Sequence, residues 1–365
     1  MTAGTLASLS NSVFASLGLS GVSDELGIGE SPSGRECIVL IDGMGSQLIA
    51  QYGREFPIFG QSIFEKELSS HFPTTTTVNL TSLATGVLPG IHGMLGYTVR
   101  VPRSGEPGRL LNALKWDERV DPLIWQSVPT LFERASAEGI STSQISAKRY
   151  EGTGFTRAAL RGANYVGANL ISEISDEAAK VLRKEKSFAY VYINHLDVAG
   201  HEDGVGSEKW LIALATVAKL LTELKEKLPP GTRVWVTADH GMVNADEIII
   251  FGKDNDLDKD VTLYGGEPRA RHLYVRDGAA RDVISRYRNY LGTKAEVLSK
   301  DEAISNNLFG NQMSIDSEER IGDIIVIANG GLILVDPERV KEEAGMVGHH
   351  GGLSEVERLI PLLAY

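Results

Sequence analysis

The sequence predicts an α/β fold built on a mostly parallel central sheet flanked by helices, and three observations carry that reading. Three short runs, residues 36–42, 187–194 and 233–241, have the length and near-continuous apolar character of strands buried on both faces. Segments with apolar residues at helical spacing lie between them. Each run also leads into an aspartate, Asp42, Asp197 or Asp239. In open α/β sheets, functional groups gather at the carboxyl ends of the strands.

The elements follow in order. Residues 1–20 have no basic start and no long apolar stretch, so they do not read as a secretory leader. A turn at 31–34 precedes the strand at 36–42, and Gly43-Met44-Gly45 then turns into a helix at 46–50. The stretch Phe72-Pro73-Thr74-Thr75-Thr76-Thr77-Val78-Asn79 comes next, with Pro73 fixing the approach of the chain. Val78, Leu80, Leu83 and Ala84 recur at helical spacing as far as a stop at Gly86. One threonine therefore stands at a helix N-terminus, where free N–H groups attract negative charge. Alone, that pattern is first of all an N-cap.

Residues 93–115, rich in Gly, Pro and Arg, read as irregular. A helix at 130–139, a strand at 140–146 and a helix at 172–184 lead to the strand at 187–194. The helix at 210–227 places Leu211, Leu214, Val217, Leu220, Leu221 and Leu224 at i, i+3, i+4 spacing and ends at Pro229-Pro230-Gly231. Residues 247–251, 270–275, 323–328 and 332–335 read as further strands, and 282–291 as a helix. The chain closes with Gly348-His349-His350-Gly351-Gly352 and an apolar run at 359–363. No domain boundary is visible, so residues 1–365 are read as one domain.

Composition excludes several function classes. The net charge is −12 with no basic block, which argues against a nucleic-acid polymer as partner. Small phosphate compounds stay open, because bound metals reverse the local field. The single cysteine, Cys37, rules out an intramolecular disulfide and a thiolate metal cluster, and reads as a small core residue. No stretch approaches 18 apolar residues, so no transmembrane helix and no membrane partner are expected; the reading is a soluble, cytoplasmic protein.

Chemistry-bearing side chains cluster at strand ends and loops: Asp42, Asp197 with His201, Asp239 with His240, and the pair His349/His350. With thiolates absent, imidazole nitrogen and carboxylate oxygen suit zinc. Asp197 and His201, four apart, share one face if that loop turns helically. Asp239 and His240, adjacent at a strand end, diverge and can serve two neighbouring metals.

Together these motifs resemble the alkaline phosphatase superfamily, specifically its type I phosphodiesterase/nucleotide pyrophosphatase branch. The resemblance runs through Ile41-Asp42-Gly43, Phe72-Pro73-Thr74-Thr75-Thr76 with Asn79, Thr85-Gly86, Pro89 and His92-Gly93. It continues through Asp197-Val198-Ala199-Gly200-His201, Thr237-Ala238-Asp239-His240-Gly241-Met242 and His350-Gly351-Gly352. It implies two zinc ions, other divalent metals being the alternative, and a threonine nucleophile in an alkaline phosphatase-like fold. On that pattern one metal falls to Asp197, His201 and His350, and the other to Asp42, Thr76, Asp239 and His240. The nucleophile falls on Thr76, with Asn79 setting the register and Thr75 and Thr77 as the neighbouring choices; His349 is the runner-up to His350.

The resemblance further implies cleavage of phosphodiester or pyrophosphate bonds in small molecules such as nucleotides, through a phosphothreonine intermediate. Asn79 and Tyr97 are the expected substrate contacts. Tyr97 stands where the animal enzymes carry an asparagine that binds a phosphate oxygen. An irregular insert near residues 93–170 is expected to shape the pocket. Lys148, Arg149 and Arg157 flank a loop at 151–154 that reads first as ordinary surface and second as a substrate contact. The alternatives are a phosphomonoesterase, a phosphonate hydrolase such as phosphonoacetate hydrolase, and an inactive metal-stabilised binding protein.

Overall fold

The computed structural model describes residues 4–105 and 108–365. Its main sheet has seven strands in the order Phe64–Ser69, Leu359–Ala364, Arg233–Thr237, Arg35–Ile41, Ser187–Ile193, Ser141–Ser146, Asn164–Gly167. The last five run parallel, as the sequence predicts. Leu359–Ala364 lies antiparallel between Arg233–Thr237 and the edge strand Phe64–Ser69. Arg35–Ile41 is the middle strand, and Cys37 to Ile41 are wholly buried. Covered on both faces, it reads as unbroken apolar sequence rather than as alternation.

Helices cover the sheet. Leu6–Ser16 packs on Thr76–Thr85 and Leu131–Ala137. Phe14 and Phe132 lie with ring centroids 4.6 and 5.6 Å from that of Phe188 in the neighbouring strand. The long helix Glu208–Lys227 packs on Ile171–Val181 and His195–Asp203 through Trp210, Leu214, Val217, Leu221 and Leu224. Leu211, expected in that stripe, is 37 % exposed, because the indole of Trp210 one position earlier takes the inward direction.

One expectation is corrected here. Residues 93–115 are not irregular: they hold the strands Thr98–Val101 and Arg109–Asn112, paired antiparallel. Gly, Pro and Arg around the turn masked the short strands in the composition. The strands read at 270–275 and 323–328 are present and lie outside the main sheet. Ala270–Val275 and Ile324–Ala328 join Val261–Glu267 and Ala295–Ser299 in a second, antiparallel sheet of four strands. That sheet has its own core around Phe251, Leu273, Tyr287, Val326 and Leu334 and is covered by the helix Ala280–Leu291. Buried Arg269 ties it to the rest of the chain by gripping buried Glu357 at 2.6 and 2.9 Å. Glu357 in turn accepts the Gly352 N–H at 2.8 Å, which fixes the loop carrying His350.

Buried His272 makes stability pH-dependent. Its Nδ1 accepts the Gly322 N–H at 3.1 Å, and burial holds its pKa down at about 4 against an ordinary 6.5. Below 6.5 the unfolded chain takes up a proton that the folded chain refuses until about 4. The contribution is therefore lost as pH falls across that window, by up to about 1.4 kcal/mol per pH unit. Urea unfolding of wild type and His272→Gln in chelator is expected to give a wild-type advantage that shrinks from pH 6.5 towards 4. A pH-independent difference would contradict the assignment.

Candidate metal centre

Sheet order assembles the centre. The strands Arg233–Thr237, Arg35–Ile41 and Ser187–Ile193 are neighbours and parallel, so the residues beyond their carboxyl ends meet at one edge. Those residues are Asp239 with His240, Asp42, and the helix His195–Asp203. That helix puts Asp197 and His201 on one face, Oδ1 to Nε2 3.3 Å. His350 arrives from the loop after Gly348–His349, a short strand paired with Val243–Asn244. Its Nε2 lies 3.9 Å from Asp197 Oδ1.

The potential ligand atoms form two groups, each within 4.8 Å: Asp197, His201 and His350, and Asp42, Asp239 and His240. In the second, His240 Nε2 is 3.4 Å from Asp42 Oδ1 and 3.5 Å from Asp239 Oδ2. The rings of His240 and His350 stack at 3.8 Å, which sets the groups side by side.

Hydrogen bonds settle which nitrogen of each ring is free. His201 Nδ1 faces the Gly348 carbonyl at 2.8 Å, His240 Nδ1 that of Gly241 at 3.1 Å, and His350 Nδ1 that of Thr74 at 2.9 Å. A carbonyl only accepts, so each Nδ1 carries the proton and each Nε2 presents a lone pair to the centre. His349 differs, with Nε2 turned to the Met346 carbonyl at 3.2 Å. Asp197 Oδ1 and Asp239 Oδ2 are buried without a hydrogen-bond partner among the described residues. Burial, then the charges of Asp197 and Asp239, push the Asp42 carboxyl well above the usual range. Converging lone pairs, orphaned carboxylate oxygens and mutually repelling buried acids are what divalent cations at these two positions would resolve. The residues present fit the metals.

Thr76 opens the helix Thr76–Thr85, and its Oγ1 lies 3.4 Å from both Asp42 oxygens and 3.2 Å from His240 Nε2. The hydroxyls of Thr74 and Thr77 are engaged by backbone carbonyls. Thr74 Oγ1 donates to the Gly352 carbonyl at 2.8 Å, and Thr77 Oγ1 to that of Gly96 at 3.1 Å. Thr75 is the buried N-cap residue.

Asn79 leaves the set of substrate contacts. It is wholly buried, its Oδ1 accepts the His71 N–H at 2.8 Å, and its Nδ2 donates to the carbonyls of Thr75, His71 and Pro73 at 3.1, 3.2 and 3.3 Å. The amide fastens the turn before Thr76 and has no reach into a pocket. Tyr97 does line a cavity.

Two cavities meet at Thr76. One, about 260 Å³, is lined by Thr75, Tyr97, Glu267, Arg339 and His350; the other, about 140 Å³, by Asp42, Tyr150, Phe155, Tyr192 and Asn194. Thr76, Asp197 and Leu114 border both. The loop at 151–154 meets the site through Thr153, with Tyr150 and Phe155 on either side of it; Arg157 is exposed and Arg149 lies over the Tyr150 ring.

Sequence reasoning missed Tyr192 and Glu267. The Tyr192 hydroxyl donates to Asp42 Oδ2 at 2.5 Å. A phenol in an otherwise apolar strand needs a partner, and that was the available signal. Glu267 is 5 % exposed, and burial lifts its pKa to about 8 against the pull of the Thr75 hydroxyl and Arg271. It follows Gly265-Gly266 in a stretch with no local signature.

The family model for type I phosphodiesterase/nucleotide pyrophosphatase matches residues 37–353, which contain every residue of this centre. The chain belongs to that family. It is accordingly a hydrolase of a metal-dependent family, within the alkaline phosphatase superfamily. Murine ectonucleotide pyrophosphatase/phosphodiesterase 5 has the same fold at 16 % identity, with 91 % of this chain and 88 % of that one covered and a TM-score of 0.71. An inactive variant of that murine protein, solved in complex with AMP, gives a TM-score of 0.70 at 16 % identity over 91 % and 87 %. Phosphonoacetate hydrolase from Sinorhizobium meliloti, in complex with phosphonoacetate, gives 0.67 at 18 % identity over 92 % and 90 %. No curated protein matches the sequence significantly. Among the described residues, no helix is long and apolar enough to cross a membrane.

Proposed function

We propose that this family member is a phosphodiesterase that cleaves small phosphodiesters or pyrophosphates with Thr76 as nucleophile and two zinc ions as cofactors. The observation that carries the reading is the convergence of Thr76 Oγ1 on Asp42 and His240 where two cavities meet. A phosphorus placed there has room for one ester arm on each side, which a monoester does not need. Asp197, His201 and His350 would hold one metal, and Asp42, Asp239, His240 and Thr76 the other. Bound there, the metals supply the positive charge that favours the ionised threonine and neutralises the phosphoryl oxygens. Three carboxylates and one ionised threonine balance two divalent cations to zero, so an anionic phosphate approaches without net repulsion.

Thr76 loses its proton to solvent, and its Oγ1 attacks phosphorus. The P–O bond to the departing arm breaks, with its electron pair leaving on oxygen. Water then hydrolyses the threonine ester and restores Thr76. Asn79 and the Thr74 hydroxyl hold the turn that aims the nucleophile, and Tyr192 orients Asp42. Both sheets border the cavities, so residues 1–365 act as one catalytic unit in this reading.

The specificity follows from Arg339. Among the described residues it is the one arginine lining either cavity, and it is paired with Glu342 and Glu343 at 3.3 Å each. A dianionic monoester lacks the free guanidinium it would require. The test compares kcat/KM for bis(4-nitrophenyl) phosphate, 4-nitrophenyl phosphate and phosphonoacetate. A diester preference of at least about tenfold is expected. Preference for the monoester or the phosphonate would overturn the diester reading.

A further inference from the structure

The strand Ser141–Ser146 reads Ser-Thr-Ser-Gln-Ile-Ser, polar where an inner strand of a parallel sheet is ordinarily apolar. Buried polar side chains ordinarily carry hydrogen bonds. Thr142 does, with its Oγ1 2.5 Å from Ser136 Oγ. Gln144 is the exception. It is 2 % exposed, and its amide has no hydrogen-bond partner among the described residues. The Ser146 hydroxyl, two places on and on the same face, is also unpartnered but is sealed from water. Neither end of the Gln144 amide is sealed, and the residue lines the smaller of the two cavities that meet at Thr76.

Gln144 stands in register between Tyr190 and Tyr165 of the flanking parallel strands, so backbone pairing fixes its place on the sheet. The same cavity reaches Thr76, Asp42 and Asp197 at the metal centre. Its walls are Leu80, Leu114 and Leu160 with the rings of Tyr150, Phe155 and Tyr192. The Tyr150 and Tyr192 rings meet edge to face at 6.0 Å. Among the described residues no lysine, arginine or histidine lines it.

These walls select the arm that enters. A charged arm would give up its hydration for apolar walls and one neutral amide. A wholly apolar arm would strip water from the amide and leave both of its ends unpaired, the penalty that makes such sites selective. A lone hydroxyl pairs well with one end and leaves the other. An arm with a donor and an acceptor side by side pairs with both, as a carboxamide, a lactam or an amino-substituted aza ring does. Aromatic and leucine walls suit the flat ring that bears such a group.

We propose that Gln144 is a specificity-determining residue that makes a paired hydrogen bond to the amide-like edge of an uncharged, flat substrate arm in the smaller cavity. The proposal rests on the phosphodiesterase reading above.

The test uses two probes of one shape on metal-loaded protein, the 4-nitrophenyl esters of 3-carbamoylbenzyl phosphate and of 3-isopropenylbenzyl phosphate. The isopropenyl group replaces both polar atoms of the carboxamide by carbon. The quantity read is the ratio of their kcat/KM values, with bis(4-nitrophenyl) phosphate as the reference for diester cleavage. Wild type is expected to favour the carbamoyl ester by at least about tenfold, the scale of one well-formed paired contact. Gln144→Leu is expected to bring the ratio close to one. Metal content and thermal melting report on folding. Should Gln144→Leu not fold, the wild-type ratio and that of Gln144→Met, which keeps the side-chain length, decide. A wild-type ratio near one, or a ratio that the substitution leaves intact, overturns the role of Gln144 while the diesterase stands. Cleavage of the reference but of neither benzyl ester by wild type has the same meaning. Cleavage of none of the three overturns the diesterase reading and this proposal with it.

Discussion

Thr76→Ala is expected to lower kcat on a nitrophenyl diester by about four orders of magnitude or more, the scale seen when other covalent nucleophiles are removed. The substitution deletes the attacking oxygen and leaves the six carboxylate and imidazole ligands in place. Metal content after gel filtration should therefore stay near the wild-type value. Thr76→Ser keeps the oxygen and should retain measurable activity, lowered by the freer χ1 of an unbranched side chain. Alanine at Thr77 removes a hydrogen bond to the Gly96 carbonyl and should act on stability, by about 1 kcal/mol, more than on rate. Alanine at Thr75 alters the N-cap residue, which makes no side-chain capping bond, and should also leave most of the rate. If Thr75→Ala abolishes turnover and Thr76→Ala does not, the register is wrong by one residue. If all three variants turn over at the wild-type rate, the covalent route fails.

Asp239→Asn should have the next largest effect, with opposite signs in the two metal states. Asp239 Oδ1 accepts N–H bonds from Gly43 at 3.2 Å and His240 at 3.1 Å, which an asparagine carbonyl can keep. Oδ2, the orphaned oxygen proposed to reach the metal, becomes an amide. The zinc content should fall from two towards one per chain. The rate should fall by about 10³, since charge stabilisation by a second metal amounts to several kcal/mol. Burial first, then the charge of Asp197, holds the Asp239 carboxyl above its usual range, so its ionised form opposes folding when no cation is present. In chelator the variant should melt higher than wild type, and with zinc it should melt lower. Lower melting in both states would mean that Asp239 serves packing rather than a metal.

Much of this was legible in the sequence because the signals are local. Arg35–Ile41, Ser187–Ile193 and Arg233–Thr237 are unbroken apolar runs, and their parallel pairing at the middle of the sheet leaves Asp42, Asp197 and Asp239 at one edge. That Asp197 and His201 share a face follows from their spacing once residues 195–203 are helical, while the role given to His201 comes from the family resemblance. What stayed hidden depends on contacts between distant segments. Asn79 has the same sequence whether it faces a ligand or the backbone of residues 71–75, and only the folded turn shows the latter. The second sheet is built from strands whose hydropathy fits either sheet; its antiparallel closure is set by the tight turn at Pro268 and Arg269. Glu267 gains its meaning from burial against Gly351, more than 80 residues away in the chain.

The central claim is that Thr76, and not water, attacks phosphorus, and stereochemistry at phosphorus tests it most directly. A P-chiral phosphorothioate diester hydrolysed in ¹⁸O-labelled water passes through two in-line displacements if a threonine ester forms, and each inverts the centre. The account predicts net retention of configuration. Net inversion would contradict it, because a single displacement by water has no place for a covalent Thr76.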